Sequence, residues 1–152
     1  MALDVAALLD GVVSPALASG IFDRVNTEEP RSAPGSGLSA AVWIDYIGPS
    51  PLTSGLASTS GIVRLRMRLY TSMTTAPTDM IDPDLLSATS YLLGLFSSGF
   101  TLAGAIRNVD LLGAYGPPLS GQAGYLNIGG TLMRIMDITI PCVVNDIWSQ
   151  IA

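Results

Sequence analysis

The sequence is very apolar for a chain in which no run of residues could cross a membrane. Hydrophobic residues make up 49% of the 152 residues and charged residues only 12%, whereas an ordinary globular domain is about 25% charged. A spanning helix needs roughly 20 consecutive apolar residues, and every apolar run here is shorter and broken. We therefore expect a subunit without membrane association that covers apolar surface with copies of itself or with partners.

The titratable residues restrict the chemistry. All seven basic residues are arginines, and the chain has no histidine, which removes imidazole bases, lysine nucleophiles and a Ser-His-Asp triad. Cys142 is the only cysteine, so it forms no internal disulfide, and without a histidine to activate it we expect an inert buried thiol. A net charge of −5 disfavours gripping nucleic acid. We expect no catalytic residues, no metal and no cofactor.

The first third of the chain predicts one helical region, two loops and a strand. Residues 2–13 have the spacing of a short amphipathic helix, and acids stand there where an export signal would carry basic residues. Ser14 before a proline predicts the N-cap of a second helical turn. Residues 38–47 alternate as a strand between two loops, 26–37 and 48–60, which we expect to be interaction loops.

Residues 61–73 carry the clearest strand pattern. Arg64, Arg66 and Arg68 alternate with the apolar side chains of Val63, Leu65, Met67 and Leu69, so one face of the strand is cationic and the other apolar. Three aligned cations repel one another, which predicts acidic partners. The arginines could instead hold phosphate or carboxylate, but no Gly-rich phosphate loop accompanies them.

The remaining pattern completes the fold. Asp82 before a proline predicts the N-cap of a helix that ends near Gly99. Residues 104–115 are strand-like, and residues 123–129 and 131–142 predict two strands joined by a Gly129-Gly130 hairpin turn. Helix, two strands, helix and three strands predict a single α+β domain over residues 1–152, with a mostly antiparallel sheet flanked by two or three helices.

Four stretches together resemble one family. They are IFDRVNTEEPRSAPGSGLSAAVWIDYI, VRLRMRLY, MIDPDLLSATSYLLGLFSSGF and GYLNIGGTLMRIMDITIPCVVNDIW. Their overall pattern, from about Leu17 to Trp148, is similar to that of the tail-terminator proteins of long-tailed actinobacterial phages. The resemblance implies a virion protein, assembled in the host cytoplasm, that forms a hexameric ring, caps the tail tube, ends its polymerisation and meets the head-tail connector protein. Its implied partners are itself, the tail tube protein and that connector.

This interpretation assigns two sets of residues. Candidates for subunit or partner contacts are Arg64, Arg66, Arg68, Glu28, Glu29, Arg31 and Trp43. Candidates for the wall of a channel through which DNA passes without specific binding are Asp45, Asp110, Asp137 and Asp146. The alternatives are another neck or head-tail connector component, a tail-tube subunit, and a small cytosolic enzyme that uses a carboxylate pair in a polar cleft.

Overall fold

The computed structural model describes residues 3–30, 37–51, 54–74 and 78–150, and it confirms the α+β class. Its elements in chain order are α1 (Val5–Ala18), β1 (Arg24–Asn26), β2 (Ser39–Pro49), β3 (Ser58–Ser72), a short 3-10 turn (Thr78–Met80), α2 (Ile81–Ser98), β4 (Asn108–Val109), β5 (Ser120–Ile128) and β6 (Thr131–Ser149). Among the described residues, no helix combines the length and the apolarity needed to cross a membrane.

The strands form one sheet with β3 and β6 at its centre. The order is β1-β2-β3-β6-β4, and β5 pairs with β6 on the same side as β4. Only β1 and β2 are parallel; the other pairs are antiparallel. The predicted hairpin is confirmed, because Ile128 pairs with Thr131 across Gly129 and Gly130. Both glycines have positive φ, 56° and 85°, which a two-residue turn of this kind requires.

Both helices belong to one apolar core. Alternation along β3 puts Val63, Leu65, Met67 and Leu69 on a single face, and all four are buried. Helix α1 contributes Leu8, Val12 and Ala16, spaced one turn apart, and α2 contributes Leu85, Ala88, Leu92 and Phe96; neighbouring strands add Val42, Ile138 and Ile140. A second, smaller cluster of Ala41, Tyr70, Ile128, Met133 and Ile135 is separate from this core. The sheet is therefore covered by helices on one face only.

Helix α1 departs from the prediction. It is one continuous helix that passes through Pro15, so Ser14 is not an N-cap. The cap is Asp4, whose side chain accepts a hydrogen bond from the Ala7 N–H at 3.0 Å. The Ser14 hydroxyl instead donates to the Asp10 carboxylate at 2.7 Å. An interior proline removes one helical hydrogen bond, but the buried stripe that ends at Ala16 keeps the helix in place.

Three further boundaries were predicted wrongly. Helix α2 begins at Ile81, whose side chain is buried, so Asp82 lies in the first turn and is not the N-cap. Of residues 104–115 only β4 is a strand, because glycines with positive φ interrupt the rest. The predicted loop 48–60 is shorter, since β2 runs to Pro49, β3 starts at Ser58, and Pro49 still pairs with Gly61.

Candidate functional site

The face of the sheet away from the helices carries the arginines of β3, here named the arginine ladder (Arg64, Arg66 and Arg68). The register places Arg66 between β2 and β6, and its guanidinium lies 3.3 Å from both Asp45 and Asp137. Arg68 Nη2 donates to Asp137 Oδ2 at 3.0 Å, and Arg68 Nη1 lies 3.5 Å from Glu29 Oε1. The acidic partners expected from the aligned cations thus come from the same chain.

Two aromatic rings of β2 complete the arginine ladder. The Arg64 guanidinium carbon lies 4.1 Å from the centre of the Tyr46 ring, and that of Arg68 lies 5.2 Å from the centre of the Trp43 ring. Cations over aromatic faces are attracted by the ring quadrupole. The ladder therefore joins β2, β3 and β6 through their side chains as well as through the backbone.

Burial tunes the electrostatics of this face. The hydrogen bonds with Asp137 raise the pKa of Arg68, although desolvation acts in the opposite direction. Desolvation raises the pKa of Tyr70, and the neighbouring Arg68 lowers it by a smaller amount. Arg68 is therefore a permanently charged group whose charge is matched locally. Among the described residues, the buried Nε atoms of Arg64 and Arg66 lack a hydrogen-bond partner.

In the described part of the chain, the segment after β1 reaches the ladder through Glu29. Glu29 pairs with Arg68, whereas Glu28 is exposed and forms no ion pair within the described part of the chain. Arg31 and residues 32–36, half of the predicted loop 26–37 in all, lie outside the described residues. Trp43 is half-buried beneath Arg68. The ladder and the start of this loop therefore lie together.

The four candidate channel acids occupy different environments. Asp45 and Asp137 both pair with Arg66. Asp146, with φ of 53°, accepts a hydrogen bond from the Ser58 hydroxyl. Asp110 is only 5% exposed, and its two carboxylate oxygens accept from the backbone N–H groups of residues 114 and 115, at 2.8 and 2.9 Å. Asp110 shapes a loop, so we leave it out of any proposed channel wall.

A second surface lies where the β2–β3 hairpin meets the end of β6. We name it the apolar arm, and its exposed large side chains are Ile44, Tyr46, Ile47, Leu56 and Trp148. Strand β2 pairs with β3 as far as Pro49 with Gly61, and β3 pairs with β6 as far as Ser58 with Ser149, with an irregularity between Thr59 and Gly61. A Cβ at Gly61 would lie 2.4 Å from the end of the Ile147 side chain, so this side chain packs directly against the β3 backbone. The arm is thus an ordered apolar surface, and it includes part of the predicted interaction loop 48–60.

The sheet also has two open edges. Strand β1 covers β2 only at residues 39–41, and no described strand pairs with the same side of β2 at residues 42–49. Strand β5 pairs with β6 alone. Unpaired edges expose backbone donors and acceptors that readily add another strand. Alternation in the sequence predicted the strands but not which edges stay open, because that depends on the order of strands in the sheet.

The surface depressions hold few titratable groups. A hollow of about 510 Å³ between α1 and α2 has Asp10 as its only carboxylate. A groove of about 440 Å³ between α2 and the β5–β6 hairpin contains Asp82, which is paired with Arg134 at 2.9 Å. Within the described ranges, no group of three or more potential metal-ligating side chains occurs. Cys142 is buried, and desolvation raises its pKa to about 12.

Comparison with profiles of known protein families and with curated protein sequences finds no match for this chain. Among solved structures, the chain is similar to the sheath/tube terminator of an extracellular contractile injection system, PVC, in its extended state. The identity is 12% and the TM-score is 0.36, over 99% of this chain and 59% of that protein. The chain therefore spans less than two thirds of the length of the terminator to which it is similar.

Proposed function

We propose that this chain is a structural virion protein that forms a ring on the end of a phage tail tube, ends tube polymerisation and joins the tail to the head connector. The observation that carries the proposal is the apolar arm beside an open strand edge. Exposed apolar side chains at one end of an ordered sheet favour a protein contact, because exposed apolar surface marks interaction sites. The resemblance to tail terminators of long-tailed phages supplies the kind of particle.

The proposal includes the absence of catalysis. The hollow and the groove described above each hold one carboxylate, whereas glycoside chemistry needs two at a set separation. The raised pKa of Cys142 keeps its thiol protonated at neutral pH, and a protonated thiol is a poor nucleophile.

The proposal also includes a channel that DNA passes without binding. Each chain has a net charge of −5, and the arginines of the ladder are matched by Asp45, Asp137, Glu29 and Tyr46. Asp45, Asp137 and Asp146 are the acids that we assign to the inner wall. A neutral to acidic wall repels the phosphate backbone and lets it slide. The purified protein should not retard duplex DNA in a gel at physiological salt, and tight, salt-sensitive binding would reject this part of the proposal.

Tube polymerisation tests the function directly. Tube protein should be polymerised with and without the purified chain, and tube lengths and ends should be recorded by electron microscopy. We expect shorter tubes that carry a cap at one end. Incorporation along the whole tube would instead indicate a tail-tube subunit, and unchanged lengths with bare ends would reject the proposal.

A pair of matched variants sharpens this experiment. Leu56 lies on the apolar arm and Leu112 lies elsewhere in the chain, and both are almost fully exposed, at 100% and 94%. Leu56→Ser should fold normally and cap poorly, because it removes apolar contact area from the arm. Leu112→Ser removes the same side chain from another surface and should cap like the wild type. Equal capping by both variants would exclude Leu56 from the contact.

A further inference from the structure

The two open edges of the sheet belong to different strands, and both are poor in charged residues. Strand β2 is open over residues 42–49, and β5 is open over the nine residues Ser120–Ile128. Neither open stretch contains a basic residue, and Asp45 is the single acid. Monomeric proteins usually protect edge strands with lysine, proline or extra short strands. On β2, Pro49 protects the end of the strand, and an irregularity in the pairing with β3 lies between Ile44 and Tyr46, just after the Ile44 backbone groups. Strand β5 contains neither lysine nor proline and pairs with β6 without interruption.

The backbone geometry shows which groups point outward. On β2, the Leu38 carbonyl accepts from the Asp23 N–H at 2.9 Å, on the side of β1. Because backbone groups alternate along a strand in an antiparallel ladder, the N–H and C=O groups of Ile44 point to this same side, where the edge is open.

On β5, the two-residue hairpin makes Ile128 and Thr131 a hydrogen-bonded pair, so Ile128 points toward β6. Tyr125, an odd number of residues away, points outward. The Leu119 N–H has the same parity as Tyr125, and it donates to the Asp110 carbonyl at 3.3 Å instead of to β6. Ile44 and Tyr125 are both about half exposed, and no described strand pairs with either residue on its outward side.

We propose that the β5 edge of one copy pairs with the β2 edge of the next copy, so that the sheet continues from subunit to subunit. This inference rests on the proposed function, because it names the contact that would close the ring. Contact between two different edges is heterologous and forms a ring when the rotation closes, whereas an edge that pairs with itself stops at a dimer.

Charge favours the second copy's β5 edge over its β2 edge as the occupant. Asp45 lies near the middle of the open part of β2, so an antiparallel pairing of two β2 edges would bring two Asp45 carboxylates together. Like charges opposite each other on a sheet are destabilising. Strand β5 has no charged residue, and its Gln122 shares the Asp137 side of the sheet through their pairing. The open edge of β2 therefore meets an uncharged strand.

Two proline variants separate the possible pairings. Ile44→Pro removes an outward N–H from β2 only, and Tyr125→Pro does the same on β5; Ile44→Val and Tyr125→Val keep the N–H groups and serve as controls. The masses should be measured by light scattering on the full chain, alone and in an equimolar mixture. Circular dichroism should verify folding, and Ile44→Lys and Tyr125→Lys replace any proline variant that fails to fold.

The expected pattern is specific to pairing between unlike edges. Wild type and both valine controls should form assemblies larger than a dimer, and each blocked variant alone should be a monomer. Their mixture should stop at twice the chain mass of 15.8 kDa, because one intact β5 edge then meets one intact β2 edge. A dimer of either blocked variant alone, a folded mixture that stays monomeric, a monomeric wild type, or wild-type assembly by Ile44→Pro would each overturn the inference.

The measurement does not involve the tail tube. Assembly through these edges together with normal tube lengths would therefore reject the proposed function and leave the pairing intact. Capped tubes together with wild-type assembly by both blocked variants would reject the edge pairing and leave the proposed function intact.

Discussion

The two faces of β3 show how one strand can serve two purposes. On the helix-covered face, Leu65 and Met67 are fully buried in a core that α1 and α2 close. On the other face, Arg66 and Arg68 are neutralised by acids from β2, β6 and the segment after β1. The first face provides stability through apolar burial. The second keeps a charged surface ordered and leaves few free cations to hold an outside anion.

The largest difference between the faces should appear on truncation of neighbouring residues. Met67→Ala should lower the free energy of unfolding by about 2–5 kcal/mol, because it removes a fully buried side chain and leaves a cavity. Arg66→Ala, one residue earlier, loses two partly exposed ion pairs and should cost roughly 0–1 kcal/mol. Urea unfolding of both variants measures this. Equal losses would contradict the division of roles between the two faces.

Within the arginine ladder, the shared carboxylate should matter more than the peripheral one. Asp137→Asn should cost about 1–3 kcal/mol, because it weakens charge-assisted hydrogen bonds to Arg68, whose side chain is only 12% exposed. Glu29→Gln is the matched control, since Glu29 is 60% exposed and its pair should contribute roughly 0–1 kcal/mol. Thermal unfolding at low and high salt should rank the two. A larger loss for Glu29→Gln than for Asp137→Asn would instead show that Glu29, in the segment after β1, contributes more to the stability of the ladder.

The last effect appears only at alkaline pH and concerns Cys142, on the helix-covered side. Burial raises the pKa of the Cys142 thiol from 9.0 to about 12. Between these values the unfolded chain loses the thiol proton while the folded chain keeps it. Stability therefore falls as pH rises from 9.0 to about 12. Cys142→Ala should flatten this part of the pH profile of urea unfolding. In the folded wild type at neutral pH, a thiol reagent should not react, and rapid labelling would contradict the burial.

The sequence predicted the parts of the fold that rest on local pattern. Alternation identified β3 and its two faces, and Gly129-Gly130 identified the last hairpin. Each of these signals is local, because it depends on residues that are close together in the sequence. The predicted helix starts at Ser14 and Asp82 were wrong, because burial of Ala16 and Ile81 outweighed the capping signals of those two residues. The prediction of a strand over residues 104–115 was wrong, because an apolar run interrupted by glycines is compatible with a loop as well as with a strand.

The candidate site was predictable in its residues but not in its arrangement. Aligned arginines predict acids, yet only the strand order shows that Asp45 and Asp137 supply them from both sides. Strand order depends on contacts between residues far apart in the chain. The open edges and the apolar arm follow from that order too, so no local motif indicates them.

The central claim is that this chain assembles into a closed ring on a tail tube. The most direct test is the mass of the purified full-length chain, measured alone and bound to preformed tubes. We predict a discrete closed assembly, with six times the chain mass of 15.8 kDa as the size that the family resemblance implies. A chain that stays at 15.8 kDa in solution and does not bind to tube ends would contradict the claim.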